Sequence, residues 1–169
     1  MIQIRRNVFE TNSSSTHSVS ITNPELVPSE LNVVEDYDIC DGDATVVVRL
    51  EGFCGGGSIT EQESKLAYLI LQLMYLTGNS RACGWYCSNS EEVEQAREEF
   101  YNTDEFEELE TEICQYVGCK HLRVYPGSEG YIDHESVVYD LYELKDECHQ
   151  SYANLIFAKD SDVWFEFNG

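Results

Sequence analysis

The chain has 169 residues, 42% of them apolar and eleven of them tyrosine, which fits one folded domain and is too aromatic for a disordered chain. Thirty-two Asp and Glu stand against ten Lys and Arg, a net charge of −22. Such a surface repels phosphate backbones, so it argues against direct binding of nucleic acid or of an anionic membrane and favours a basic partner.

MIQIRR reads as a first strand and SVSIT as a second short one, ended by Asn23-Pro24. Residues 23–45 are rich in Pro, Asp and Glu and read as a loop. ATVVVRLEG, with three consecutive valines, is the clearest strand of the N-terminal half. The glycine loop GFCGGGS follows, and Thr60 with Glu63 has the spacing of a capping box. The helix expected over about 61–77 is apolar on nearly every side, the pattern of a buried central helix.

A second helix is expected with Ser90 as its cap and with Val93, Ala96 and Phe100 on one face. A third is expected from about Asp104, with Phe106, Leu109, Ile113 and Val117 inward. Their polar faces carry Glu91, Glu92, Glu94, Glu98, Glu99, Asp104, Glu105, Glu107, Glu108, Glu110 and Glu112, against one Arg. Eleven acids less one base is ten of the twenty-two excess negative charges in one segment. This acidic helical lobe, about 90–118, reads as an insertion in a single domain spanning 1–169.

HLRVYPG is expected to be a strand, DHESVVYDLYELKDECHQ a helix, and NLIFAKDSDVWFEF a closing hairpin around Lys159–Asp162. Strands at both chain ends with helices between them define an α+β fold. Its expected form is a small mixed or antiparallel sheet from both chain ends, one buried central helix and an acidic helical pair.

Seven cysteines and a start without the apolar core of a signal peptide suggest a reduced, cytoplasmic protein. The run LAYLILQLMYL is too short to span a bilayer, so no membrane partner is expected. Cys83/Cys87 has a weak C-x3-C spacing, and Cys114, Cys119 and His121 form no tight ligand pair, so no metal is expected. The glycine loop lacks the Gly-Lys-Ser/Thr ending of a P-loop, so no nucleotide cofactor is expected either.

Two polar clusters hold the residues with acid–base chemistry. In FETNSSSTHSVS, hydroxyls and backbone N–H groups could cradle an anion beside His17, with Arg5 and Glu10 close in sequence. In YIDHES, Asp133 could orient His134. Meeting in space, His17 and His134 would form an acid/base pair able to cleave RNA without a metal. The alternative is a hydrogen-bonded strand connection in the first cluster and a helix cap in the second.

The stretch RRNVFETNSSSTHSVSI resembles the N-terminal signature of a family of small proteins of phages and mobile elements in Gram-positive bacteria. That signature runs Arg, then Phe-Glu-Thr-Asn-Ser-Ser-Ser, then a His after one more residue. DHES and the C-terminal apolar strand resemble later elements of the same family, while residues 23–120 carry no resemblance. The resemblance implies a phage context, in which proteins of this size include many inhibitors of host defence, CRISPR nucleases above all. Three functions stand as expectations. The first is an anti-CRISPR inhibitor, whose eleven acids mimic DNA on a basic nucleic-acid-binding or PAM-binding surface of a type II CRISPR effector. The second is an enzyme acting on guide RNA or a nucleotide through Arg5, Glu10, His17 and His134. The third is a phage assembly accessory protein.

Overall fold

The computed structural model describes residues 15–23, 25–35, 41–50, 52–53, 57–84, 89–125, 131–132 and 140–167. The fold is organised by helix α1, Gln62–Leu76, in which twelve of fifteen residues are buried. Leu66, Leu69, Ile70, Leu73 and Met74 have no accessible surface, so the helix has a covering on every side. Its polar side chains are used internally. Gln62 accepts from the Glu30 N–H (2.7 Å) and donates to the Pro28 carbonyl (3.0 Å), fixing an extended segment across the helix start. The Lys65 ammonium donates to the carbonyls of Ser161 (3.1 Å) and Ile156 (3.4 Å), and burial lowers its pKa. The expected Thr60 capping box is not formed. The helix begins one residue later, Glu61 holds the cap position without a side-chain bond, and Gln62 anchors the first turn instead.

Two three-stranded sheets cover this helix. In the first, β1 (Ser15–Ile21) from one chain end runs antiparallel to β8 (Ser161–Phe167) from the other, and β5 (Gly57–Ile59) lies on the far side of β8. The first described strand therefore extends into the serine-rich cluster, where pairing with β8 overrides the weak strand propensity of serine. In the second sheet, β3 (Thr45–Arg49) is central. It pairs antiparallel with β2 (Val33–Val34) and parallel with β6 (His121–Tyr125). Val46, Val48, Leu122 and Val124 turn from this sheet into the core. A two-stranded parallel pair joins β4 (Gly52–Phe53) to β7 (Tyr131–Ile132), so short strands flank the expected glycine loop.

A 3-10 turn, Ser80–Cys83, leads to α2 (Ser90–Tyr101) and α3 (Asp104–Val117). Asn89 caps α2 through a side-chain oxygen that accepts from the Glu91 N–H, so Ser90 is the first helical residue rather than the cap. Ala96, Phe100, Phe106, Leu109 and Ile113 join the same core as α1. The acidic helices are thus layers of one core.

Helix α4 is short, Leu141–Glu147, and Asp140 caps it; the start of the expected helix, 133–139, lies outside the described residues. The expected C-terminal hairpin is replaced by helix α5, Tyr152–Phe157, followed by β8. Tyr152, Leu155 and Ile156 are buried at i, i+3, i+4 spacing, which the apolar appearance of the run conceals. Among the described residues no helix is long and apolar enough to cross a membrane.

Leu69→Ala should lower unfolding stability by about 2–5 kcal/mol, because no solvent can relax into a helix enclosed on all sides. Urea denaturation measures this as a fall in the midpoint at unchanged slope.

Candidate partner-binding site

Helices α2 and α3 are held against β6 by a defined set of bonds. β6 pairs with β3 along one edge only. The N–H groups of Leu122 and Val124, two residues apart, point to the other edge and would be left without strand partners there. The Glu110 carboxylate of α3 accepts from the Leu122 N–H (2.8 Å), and the Tyr101 hydroxyl at the end of α2 accepts from the Val124 N–H (3.0 Å). Arg123 closes the arrangement. It donates to Glu110 (3.0 Å), and its guanidinium lies 5.2 Å from the centre of the Tyr101 ring. Burial raises the pKa of the Tyr101 phenol, keeping it protonated.

Two more acids of α3 serve the fold. Glu112 accepts from the Ser151 hydroxyl (2.9 Å) and the Ala153 N–H (3.2 Å), satisfying the start of α5, whose cap residue Ser151 turns its side chain to Glu112 and not to the helix's own N–H groups. Glu108 pairs with Lys145 of α4 at 2.5 Å. The eleven candidate carboxylates therefore fall into two populations. Glu108, Glu110 and Glu112 bond to other elements of the fold. Glu91, Glu92, Glu94, Glu98, Glu99, Asp104 and Glu107 are exposed, and Glu105 is half-buried. Glu99 accepts a hydrogen bond from Gln95, whereas no basic group among the described residues pairs with Glu91, Glu92, Glu94, Glu98, Asp104 or Glu107.

Local helix chemistry explains part of this placement. Glu91, Glu92, Asp104, Glu105 and Glu107 occupy first turns, where the helix dipole favours negative charge. It does not explain Glu94 and Glu98, like charges four residues apart on α2, which repel each other. Residues three or four apart on a helix stand about 5–6 Å from one another.

The histidine candidates are placed differently. His17 lies in β1, paired in register with Phe165 of β8. Arg5, Glu10, Asp133 and His134 lie outside the described residues, as do Cys54 and Cys87. Among the described residues no cluster of three or more His, Cys, Asp or Glu is arranged to hold a metal ion. A separate charge cluster does form near the β3–β6 pair. Lys120 bonds Asp43 at 2.7 Å and lowers its pKa, while His121 lies 3.6 Å from Asp43 and 3.8 Å from Glu110.

The structural roles of Tyr101 and Glu110 were not foreseen from the sequence. The available signal was position: Tyr101 adjoins the inward Phe100, and Glu110 lies one turn after the inward Phe106, at the border of the apolar stripe. Comparison with protein-family models, curated proteins and solved structures finds no match to this chain.

Glu110→Ala should cost about 1–3 kcal/mol, since it strips an acceptor from a half-buried backbone N–H and from Arg123. Glu94→Ala, on the exposed face, should change stability by no more than about 0.5 kcal/mol. Thermal or urea unfolding of the two variants side by side separates the two populations of acids.

Proposed function

We propose that this protein is a phage-encoded inhibitor that binds, through the exposed face of α2 and α3, to a basic surface normally occupied by nucleic acid. The observation that carries the reading is the array of six exposed carboxylates without basic partners among the described residues, on two helices whose other faces are fixed in the core. A rigid array loses little conformational entropy on docking, so its charges are already placed when the partner arrives. Opposite charge accelerates encounter and makes the complex sensitive to salt.

A type II CRISPR effector is the partner that best combines these needs. It carries a positively charged channel for its heteroduplex and reads a duplex PAM, so carboxylates seated there would displace DNA contacts. The inhibitor would act in the cytoplasm of the host bacterium, where that effector works. It requires no cofactor and no direct nucleic-acid contact of its own.

The experiment is target-DNA cleavage by a guide-loaded type II effector with this protein titrated in, the guide RNA being resolved on a denaturing gel. The expected result is inhibition that saturates near one inhibitor per effector, leaves the guide intact and weakens at least tenfold as salt rises from low to physiological strength. A shortened guide at substoichiometric protein, abolished by His17→Ala, would replace this reading with the enzymatic one. Undiminished cleavage in every order of addition would remove this effector as the target.

A further inference from the structure

Helix α3 ends in a turn that brings two cysteines together. Gly118 adopts a left-handed conformation (φ 81°), and the N–H groups of Gly118 and Cys119 both donate to the Cys114 carbonyl, at 2.9 and 3.2 Å. The backbone bond from Cys119 to Cys114 is the long-range bond of a Schellman turn, which commonly sets an apolar contact between those two side chains. Here both are thiols, with sulfurs 3.0 Å apart. Neither is sealed in the core: both are half-buried, whereas Cys83 and Cys148 are buried.

We propose that Cys114 and Cys119 form a reversible dithiol–disulfide site, closed by small-molecule disulfides and reopened by thiols. The sulfurs need to approach by only about 1 Å to reach the bonded distance of about 2.05 Å. The turn is fixed independently at both ends. Tyr116 of α3 stacks on Phe157 and donates to the Val27 carbonyl, and Lys120, next after Cys119, donates its N–H to the Ala44 carbonyl. The two cysteines are therefore held near each other whether or not they are bonded.

The reaction balances with glutathione disulfide as oxidant. One thiol of the pair, as thiolate, attacks a glutathione sulfur and releases one glutathione, leaving a mixed disulfide. The second thiolate then attacks the protein sulfur and releases the second glutathione, the two thiol protons passing through solvent to the two departing glutathione thiolates. Burial raises the pKa of the Cys114 thiol and so disfavours its thiolate. Once closed, the bond would join the C-terminal turn of the acidic helix to the entry of β6. This inference rests on the turn alone and is independent of the proposed partner.

The test uses the full-length protein, treated with glutathione disulfide, then alkylated and digested with trypsin. Residues 98–120 form one tryptic peptide containing Cys114, Cys119 and no other cysteine. The expected result is that this peptide becomes lighter by two hydrogen atoms and takes up no alkylating agent, before Cys83 and Cys148 react. Dithiothreitol should restore two alkylation sites. In Cys114→Ser the same treatment should leave glutathione on Cys119, since the second thiol is gone. Continued double alkylation of the wild-type peptide, or a stable glutathione adduct on it with no internal bond, would overturn the proposal.

Discussion

Helix α1 has no face that tolerates water, and the rest of the chain is arranged by that constraint. A helix apolar all round gains its burial only if sheets and helices enclose it. The β2–β3–β6 sheet, the β1–β8–β5 sheet and helices α3, α4 and α5 all contribute to the enclosure. The polar residues that α1 carries inside are matched to backbone groups of the covering layers. Gln62 binds the 28–30 segment, and Lys65 binds the carbonyls at the end of α5 and the start of β8. The central helix therefore fixes the path of its cover as well as driving its collapse.

The acidic pair follows from the same constraint. The apolar faces of α2 and α3 complete the core, and this sets which of their carboxylates face inward and which outward. On the inner side, Glu110 and Tyr101 occupy an edge of β6 that would otherwise present unpaired N–H groups, and Glu112 supplies α5 with an acceptor at its start. Outside, the remaining acids accumulate without counter-charges among the described residues, and Glu94 and Glu98 tolerate mutual repulsion. A repelling pair such as Glu94 and Glu98 on a rigidly presented face is the kind of feature that binding to a basic partner would explain.

The strongly periodic parts of this fold were legible in the sequence: the α+β class, the buried central helix, the valine strand, the sheet joining both chain ends and the acidic helices. What was not legible depends on partners distant in sequence. The end of the chain reads as a hairpin because a short apolar run such as NLIF does not distinguish a strand from a buried turn of helix. Thr60 has a capping signature, but Gln62 reaches the 28–30 segment and the helix starts after Glu61. The eleven acids look equivalent as a string. Only the packing of α3 against β6 and α5 divides them into those that bond the fold and those that face outward. Cys114 and Cys119 look unremarkable at their spacing until the left-handed Gly118 turns one sulfur onto the other.

That division of the acids is the claim on which both the fold and the proposed function rest. It is tested most directly by one variant in which Glu91, Glu92, Glu94, Glu98, Asp104 and Glu107 are all changed to glutamine, with melting temperature and inhibition of the guide-loaded effector measured on the same sample. The division predicts a melting temperature within a few degrees of the wild type, because relieved repulsion offsets the lost helix-dipole interaction of the four first-turn acids and no internal bond is lost, together with inhibition weakened at least tenfold. Inhibition at wild-type strength from a well-folded variant would contradict the assignment of this face as the binding surface. A large fall in melting temperature would contradict the placement of these six carboxylates outside the fold's own bonding.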